Sequence, residues 1–308
     1  MTSLRLGTGG SALALAQART VADALRQRAG REIELVEIAT DGDRSTAPVQ
    51  RLGVGVFVSA LRDALLAKEI DLAVHSYKDL PTASAEGLHI AAVPPRQDPR
   101  DALVARDGLT LAELPDGARI GTGAPRRIAQ LHGLGRALAP VPIRGNVDTR
   151  LRRVADGTVD AVVLARAGLA RLGRTAEITE TLDPMLMLPA PAQGALAVEC
   201  RLDDTDLTEA LTLLDDPDSR AAVTAERALL AALEAGCSAP VAALAEVCEG
   251  DEGAEIYLRG AVFSPDGTQV VRLSGTGTLA GAAAVGQALA ADLLAAGADR
   301  LTVLGVAP

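Results

Sequence analysis

The sequence predicts an α/β fold in which two lobes are joined by a two-strand hinge and followed by a small C-terminal α+β domain. Three observations predict it. Strands and helices alternate over the first two thirds of the 308 residues, as in mainly parallel sheets covered by helices. Two proline-rich segments, 94–99 and 189–191, interrupt that alternation, so we expect the chain to leave the first lobe and return to it. After residue 240, hairpin-like strands replace the alternation.

In the first lobe, apolar patterning predicts an opening strand over 4–8 and a helix over 12–28, with Ser11 as its N-cap. The glycine- and proline-containing stretch 41–56 is predicted to be a long loop, which in compact domains is often a lid. Further strands are predicted over 32–39, 71–76 and 88–93 and, after the return to this lobe, 195–200, and a second helix over 58–68.

The second lobe repeats this alternation, and the last domain departs from it. Turn residues Ser264–Gly267 predict a hairpin within the strands of 241–278. In the second lobe, strands are predicted over 118–122, 141–144 and 160–165, with helices from Pro125 and Val147; in the last domain, helices are predicted over 218–235 and 280–295. The expected domains are 1–95 with 195–215, 100–190, and 217–308.

Composition excludes several classes of protein. The chain has no Trp, two Tyr and two Phe, so it lacks the stacking rings that sequence-independent single-strand binders use, and we expect no nucleic-acid partner. No apolar run reaches the roughly 20 residues that span a bilayer, and the start shows no basic segment followed by an apolar one. We therefore expect a cytoplasmic protein with no membrane contact. The spacing of Cys and His predicts no metal site.

Charge is unevenly distributed. The net charge is −10, yet residues 119–174 hold eleven arginines, no lysine and three aspartates, a net charge of +8. This pattern predicts a pocket for a small, multiply charged anion; the alternative is a solvated basic surface. Two glycine-containing strand-to-helix turns within the segment strengthen the first interpretation, because helix N-termini and arginines both attract anions. They are Gly121–Arg127 and Ile143–Arg150; a similar turn, Gly7–Ser11, opens the first lobe.

Two further features suggest chemistry. Lys78 and Asp79 follow a buried strand, and only one other lysine is present. Either they form a surface ion pair, or Asp79 is a carboxylate that cations keep ionised and that exchanges protons with a nitrogen heterocycle. Cys237 lies in a glycine-flanked loop at a helix end, which favours a covalent role, although burial is commoner for a cysteine; Cys200 lies in an apolar strand.

At this point the chain resembles the hydroxymethylbilane synthase (porphobilinogen deaminase) family over nearly its whole length. No single motif decides this, but many occur in a consistent order. They include Thr40-x-Gly42-Asp43, His75-Ser76-x-Lys78-Asp79-x-Pro81, Asp98-Pro99-Arg100-Asp101-Ala102, Arg126-Arg127, Arg144-Gly145-Asn146, Ala167-Gly168-Leu169, Gln193-Gly194-Ala195, Thr224-Ala225-Glu226-Arg227 and Leu233-Glu234-x-Gly236-Cys237.

The resemblance implies two type II periplasmic-binding-protein-like lobes and a transferase of tetrapyrrole (heme) biosynthesis. It implies a covalent dipyrromethane cofactor attached to Cys237 through a thioether. Asp79 matches the catalytic aspartate, which stabilises the azafulvene cation formed when ammonia leaves. Four porphobilinogens add in turn, and water releases hydroxymethylbilane. The residues implied to hold cofactor and substrate are Ser11, Ser76, Lys78, Thr122, Arg126, Arg127, Arg144, Arg150, Arg171 and Gln193.

The chain departs from the family pattern at ligand-facing loops. The family usually has Arg at Gly9 and a Thr-Ser-Ser run where this chain has Thr122-Gly123-Ala124. The leading hypothesis is the synthase, acting as a monomer. The alternatives are a diverged or engineered member with impaired or altered pyrrole handling, and a non-catalytic, two-lobed anion-binding protein.

Overall fold

In a computed structural model, the residues described are 3–38, 55–234, 239–250 and 253–302. They divide into two compact units, which we call the first unit (residues 1–97 with 195–220) and the second unit (residues 98–194 with 221–308). The predicted mixed α/β class is confirmed, and a separate small sheet with helices forms the C-terminal part.

The strands and helices are numbered in chain order. They are β1 (Leu4–Thr8), α1 (Ala12–Ala29), β2 (Ile33–Glu37), α2 (Gly55–Leu66), β3 (Leu72–Ser76), β4 (Leu88–Ala92), β5 (Asp101–Ala105), β6 (Arg119–Gly121), α3 (Pro125–His132), β7 (Ala139–Val141), α4 (Val147–Ala155), β8 (Ala161–Ala165), α5 (Arg166–Arg171), β9 (Glu180–Thr181), β10 (Leu196–Arg201), α6 (Thr205–Thr212), α7 (Pro217–Ala232), β11 (Val241–Gly250), β12 (Gly253–Phe263), β13 (Val270–Thr278) and α8 (Ala282–Ala295).

The first unit contains a mixed sheet with strand order β2-β1-β3-β10-β4. β1 is parallel to β2 and β3, whereas β10 is antiparallel to β3 and β4. The helix α1 begins where predicted, because the Ser11 hydroxyl accepts a hydrogen bond from Ala14 N at 3.1 Å. It ends at Gly30, which has φ of 60°. Its apolar face packs on this sheet, so the helix N-terminus is fixed beside the end of β1.

The second unit contains a similar sheet with strand order β7-β6-β8-β5-β9. β6 is parallel to β7 and β8, and β5 runs antiparallel to β8. Asp101, the first residue of β5, pairs with Ala165, the last residue of β8. Because parallel strands end at one edge of a sheet, Asp101 lies at the same edge as the turns that follow β6 and β8.

The C-terminal sheet, β11-β12-β13, is antiparallel. One face packs against α7 and α8 through alanine, leucine and valine side chains. The predicted hairpin turn is present, since Gly267 N donates to Ser264 O at 2.9 Å. The other face contacts Ala129 of α3 and Leu188 through Ala242, Leu244, Ala261 and Phe263. This packing fixes the back of the helix that begins at Pro125.

Some predicted elements were wrong or missed. β7 covers 139–141 and not 141–144, so Arg144 lies three residues beyond the end of the strand and does not end it. The sheets contain antiparallel strands, such as β5, that the alternation did not predict. Residues 41–54 of the predicted lid and residues 235–238 of the predicted cysteine loop lie outside the described residues. Among the described residues, no helix is long and apolar enough to cross a membrane.

Candidate active site

In the first unit, Ser11 and Ser76 lie near the carboxyl ends of β1 and β3. The Ser11 hydroxyl caps α1, and the Ser76 hydroxyl accepts a hydrogen bond from Gln17 Nε2 at 2.8 Å. Both predicted site residues are therefore tied to α1. The carboxyl ends of strands are where open α/β sheets bind ligands, so these two hydroxyls lie at the edge of the sheet that the sequence predicted.

A single 3₁₀ turn, Tyr77–Asp79, follows β3 directly. Tyr77 N donates to Ala195 O at 3.1 Å, and Leu80 N donates to Tyr77 O at 3.2 Å, so both ends of the turn are fixed. The turn leaves Lys78 half-buried and Asp79 exposed. The carboxylate of Asp79 is thus accessible to a reacting group while its backbone is held.

The pKa of Asp79 is raised above its usual value. Desolvation by the surrounding protein is the largest cause, and the charges of Lys78 and His75 only partly offset it. The residue keeps an exposed surface, so we interpret the carboxylate as water-accessible but closely surrounded. The prediction that cations keep Asp79 ionised overlooked this desolvation. A raised pKa makes the protonated form of this carboxyl more available than that of an ordinary aspartate.

A buried ionic chain lies beside this turn. His75 Nε2 is 3.1 Å from Glu199 Oε2, and the Arg62 guanidinium binds Glu199 at 2.9 to 3.1 Å. Burial raises the pKa of Glu199, but its hydrogen bonds to His75 and Arg62 lower it below the usual range overall. The sequence did not predict this chain, although a glutamate within an apolar strand was a signal.

In the second unit, the paired arginines are buried and not on a solvated surface. Arg126 Nη2 donates to Asp101 Oδ2 at 2.8 Å, and Arg127 Nη2 donates to Asp101 Oδ1 at 2.7 Å. Burial pushes the pKa of Asp101 up, but the charges of both arginines more than offset this and hold it well below the usual range. The carboxylate fixes both side chains, yet neutralises only one of the two positive charges.

Gln193 completes this buried network. Its side chain is fully buried, and Nε2 donates to Pro99 O at 2.7 Å and to Asp101 Oδ1 at 2.8 Å. Arg126 also donates to Leu188 O, and Arg127 to Val163 O. The amide nitrogen of Gln193 therefore braces Asp101. The role of Asp101 was missed, although an aspartate opening an apolar strand signals a buried ion pair.

The other predicted residues of this unit have different environments. Arg171 Nη2 donates to Gly194 O at 2.6 Å, and desolvation lowers the pKa of Arg171 to about 10. Desolvation and the charge of Arg127 lower the pKa of Arg150, whose Nε donates to Gly145 O at 2.8 Å. Thr122 is buried beside the N-terminus of α3, and Arg144 is exposed. A lowered arginine pKa marks a guanidinium that an added anion would stabilise.

A surface recess of about 530 Å³ lies elsewhere, at the opposite edge of the first unit's sheet. Leu66, Lys68, Arg201 and Asp203 line it. Its arginine is committed to the protein, because Nη1 donates to Leu65 O and Ile70 O and Nη2 to Asp204. We therefore assign no ligand to this recess. Cys237 lies outside the described residues.

Comparison with known families covers almost the whole chain. Residues 4–209 match the family model described as porphobilinogen deaminase, dipyromethane cofactor binding domain. Residues 220–295 match the model of the porphobilinogen deaminase C-terminal domain.

Curated relatives with the name porphobilinogen deaminase are similar over most of their length. The protein from Nocardia farcinica is 63% identical, covering 98% of this chain and 88% of its own. That from Mycobacterium marinum is 60% identical, covering 97% and 96%. Among solved structures, a periplasmic substrate-binding protein from Coxiella burnetii aligns with a TM-score of 0.44 at 14% identity, over 73% of this chain and 96% of its own.

Proposed function

The chain belongs to the porphobilinogen deaminase family of transferases, and from that membership we propose how its residues perform the reaction. Porphobilinogen is the substrate of this family. We propose that four units are joined head to tail with loss of ammonia, and that water then releases the linear tetrapyrrole. The observation that carries the proposal is the guanidinium cluster braced by Asp101, because each pyrrole unit carries two carboxylates.

The residues of this cluster fit a dipyrromethane group. Arg126 and Arg127 retain one positive charge beyond Asp101, and Arg150 and Arg171 are desolvated cations. We propose that these four arginines, with Arg144 and Thr122, hold the carboxylates of cofactor and substrate, and that Cys237 is the point of attachment. When bound, the dipyrromethane supplies the pyrrole carbon on which the first unit is added.

We assign proton handling to Asp79. Its raised pKa suits a carboxyl that donates a proton as the substrate's amino group leaves as ammonia. Once ionised, the same carboxylate stabilises the positive charge left on the substrate's pyrrole. It then accepts a proton when the ring regains its aromatic system. We propose that Ser11, Ser76 and Lys78 position the incoming substrate beside it.

The experiment that tests this combines turnover with intact mass. Purified protein is incubated with porphobilinogen, the tetrapyrrole product is measured, and the mass of the protein is recorded before and after. We expect a dipyrrole adduct that is absent from Cys237→Ser, and turnover that falls by at least about a thousandfold in Asp79→Asn while the adduct remains. Turnover by a protein without an adduct would contradict the proposal, and so would an unchanged rate in Asp79→Asn.

A non-catalytic anion-binding protein would show neither adduct nor turnover, and a diverged member would carry the adduct but release another product.

We propose further that the chain acts as a cytoplasmic monomer without a nucleic-acid or membrane partner. Cys200 and Cys248, the two cysteines among the described residues, are free. Light scattering of the purified protein and fractionation of the source cells test these two points.

A further inference from the structure

Glu226 is a fully buried carboxylate that the proposed chemistry does not use. It lies on α7, eleven residues before Cys237, within the Thr224–Arg227 motif. An ionised carboxylate is costly to bury unless hydrogen bonds compensate it. Its contacts therefore indicate what the residue does.

Both oxygens of Glu226 accept backbone hydrogen bonds. Oε2 accepts from Ala192 N at 2.5 Å, and Oε1 accepts from Ala245 N of β11 at 2.7 Å. Ala192 is itself fully buried and has φ of 60°, a left-handed conformation that is unfavourable for a residue with a Cβ atom. The hydrogen bond from Ala192 to Glu226 thus holds the chain in a conformation that alanine does not prefer.

The next two residues, Gln193 and Gly194, contact Asp101 or the arginine cluster, by which we mean Arg126, Arg127, Arg150 and Arg171. Gln193 Nε2 donates to Asp101 Oδ1 at 2.8 Å, and the Gly194 carbonyl accepts from Arg171 Nη2 at 2.6 Å. Asp101 in turn fixes the paired arginines. Any change in the backbone at Ala192 therefore shifts the residue that braces Asp101 and the carbonyl that orients Arg171.

We propose that Glu226 is a positioning residue, which holds residues 192–194 in the conformation that the arginine cluster requires. The segment is thereby joined to α7, the helix that precedes Cys237 in the sequence. The identity of the ligand that the arginine cluster binds rests on the proposed function. The positioning of residues 192–194 by Glu226 does not. Loss of the Glu226 charge loosens residues 192–194 and misplaces the guanidinium of Arg171.

The test is a rescue experiment with Glu226→Gln, in which an amide NH₂ replaces one of the two acceptor oxygens. We expect kcat/KM for porphobilinogen to fall by about ten- to a hundredfold, the range for losing a hydrogen bond to a buried charge. Amide hydrogen exchange of residues 192–194 should accelerate by a similar factor. Adding Ala192→Gly should raise the kcat/KM of Glu226→Gln at least about threefold, because glycine adopts the left-handed conformation without strain. Glu246→Gln, an exposed carboxylate next to Ala245, is the control and should change neither quantity.

Three results would overturn the proposal. In the first, Glu226→Gln leaves the exchange of residues 192–194 unchanged. In the second, Glu226→Gln lowers kcat/KM and Ala192→Gly restores none of the loss. In the third, Glu226→Gln lowers Tm and leaves kcat/KM per folded molecule unchanged, so that Glu226 only stabilises the fold. The exchange measurement needs no turnover. A wild-type protein without activity would therefore count against the proposed function and leave this test intact.

Discussion

The fold shifts the pKa values of individual carboxyl groups in different directions. Asp101 and Glu199 are buried carboxylates with lowered pKa values, which are due to Arg126 and Arg127 for Asp101 and to His75 and Arg62 for Glu199. Asp79 has cations nearby, yet desolvation outweighs them and raises its pKa. The fold therefore stabilises the anionic form of Asp101 and Glu199 and disfavours the anionic form of Asp79.

The raised pKa of Asp79 predicts that this residue destabilises the fold. A carboxyl whose pKa is higher in the folded state favours folding below its unfolded pKa of about 4 and loses that contribution as the pH rises through the folded value. We therefore expect Asp79→Asn to raise Tm at pH 7 and to change it little at pH 4, while turnover is lost. Thermal unfolding at both pH values measures this. An equal or lower Tm at pH 7 would contradict the desolvation argument.

For Asp101 the expected effect on stability at pH 7 has the opposite sign. Its lowered pKa means that its stabilisation is present above the unfolded pKa of about 4 and is lost as the pH falls towards the folded value. Removing one member of a buried ion pair costs about 3–5 kcal/mol, so Asp101→Asn should reduce the free energy of unfolding by that amount at pH 7. Denaturant titration measures it, and Asp98→Asn, in a partly exposed pair with Arg100, should cost under about 1 kcal/mol. An equal loss of unfolding free energy in the two variants would contradict this prediction.

At the scale of elements, the sequence predicted correctly those features that depend on neighbouring residues, such as the starts of helices. Ser11, Pro125 and Val147 marked helix starts correctly, because capping and the fixed φ of proline act within one turn. β5 was missed because a strand buried on both faces has no period of two. The role of Asp101 was missed for a different reason: its partners come from residues 126, 127 and 193, which only the tertiary fold brings together.

Helix α3 carries a correctable departure from the family pattern. Ala124 is its N-cap, in an extended conformation, and offers no side-chain hydrogen bond to the helix. A serine hydroxyl there should accept from the first turn, so Ala124→Ser should stabilise the protein by about 1 kcal/mol. Gly123→Ser is the contrast, because a Cβ at Gly123 would lie 3.1 Å from Ile143 O. Chemical denaturation of both variants measures the difference, and a gain at 123 with none at 124 would disprove it.

At the scale of the whole molecule, two electrostatic effects act on an anionic substrate in opposite directions. The net charge of −10 repels it, while residues 119–174 carry +8. At about 0.1 M salt the Debye length is about 10 Å, so charges within the cluster act on a bound carboxylate while most of the acidic surface is screened. Local attraction should therefore prevail over long-range repulsion.

This balance makes the salt dependence of KM informative. Raising NaCl from about 0.05 to 0.5 M should increase KM for porphobilinogen several-fold and change kcat less, because screening weakens exposed cations most. Arg144, exposed in the second unit, should carry much of that dependence. Arg144→Gln should raise KM at low salt and flatten its rise with salt, whereas Arg152→Gln, an exposed arginine outside the predicted site, should keep the wild-type slope. If both variants keep that slope, the exposed charge of Arg144 has no part in binding, and the buried arginines braced by Asp101 alone hold the substrate.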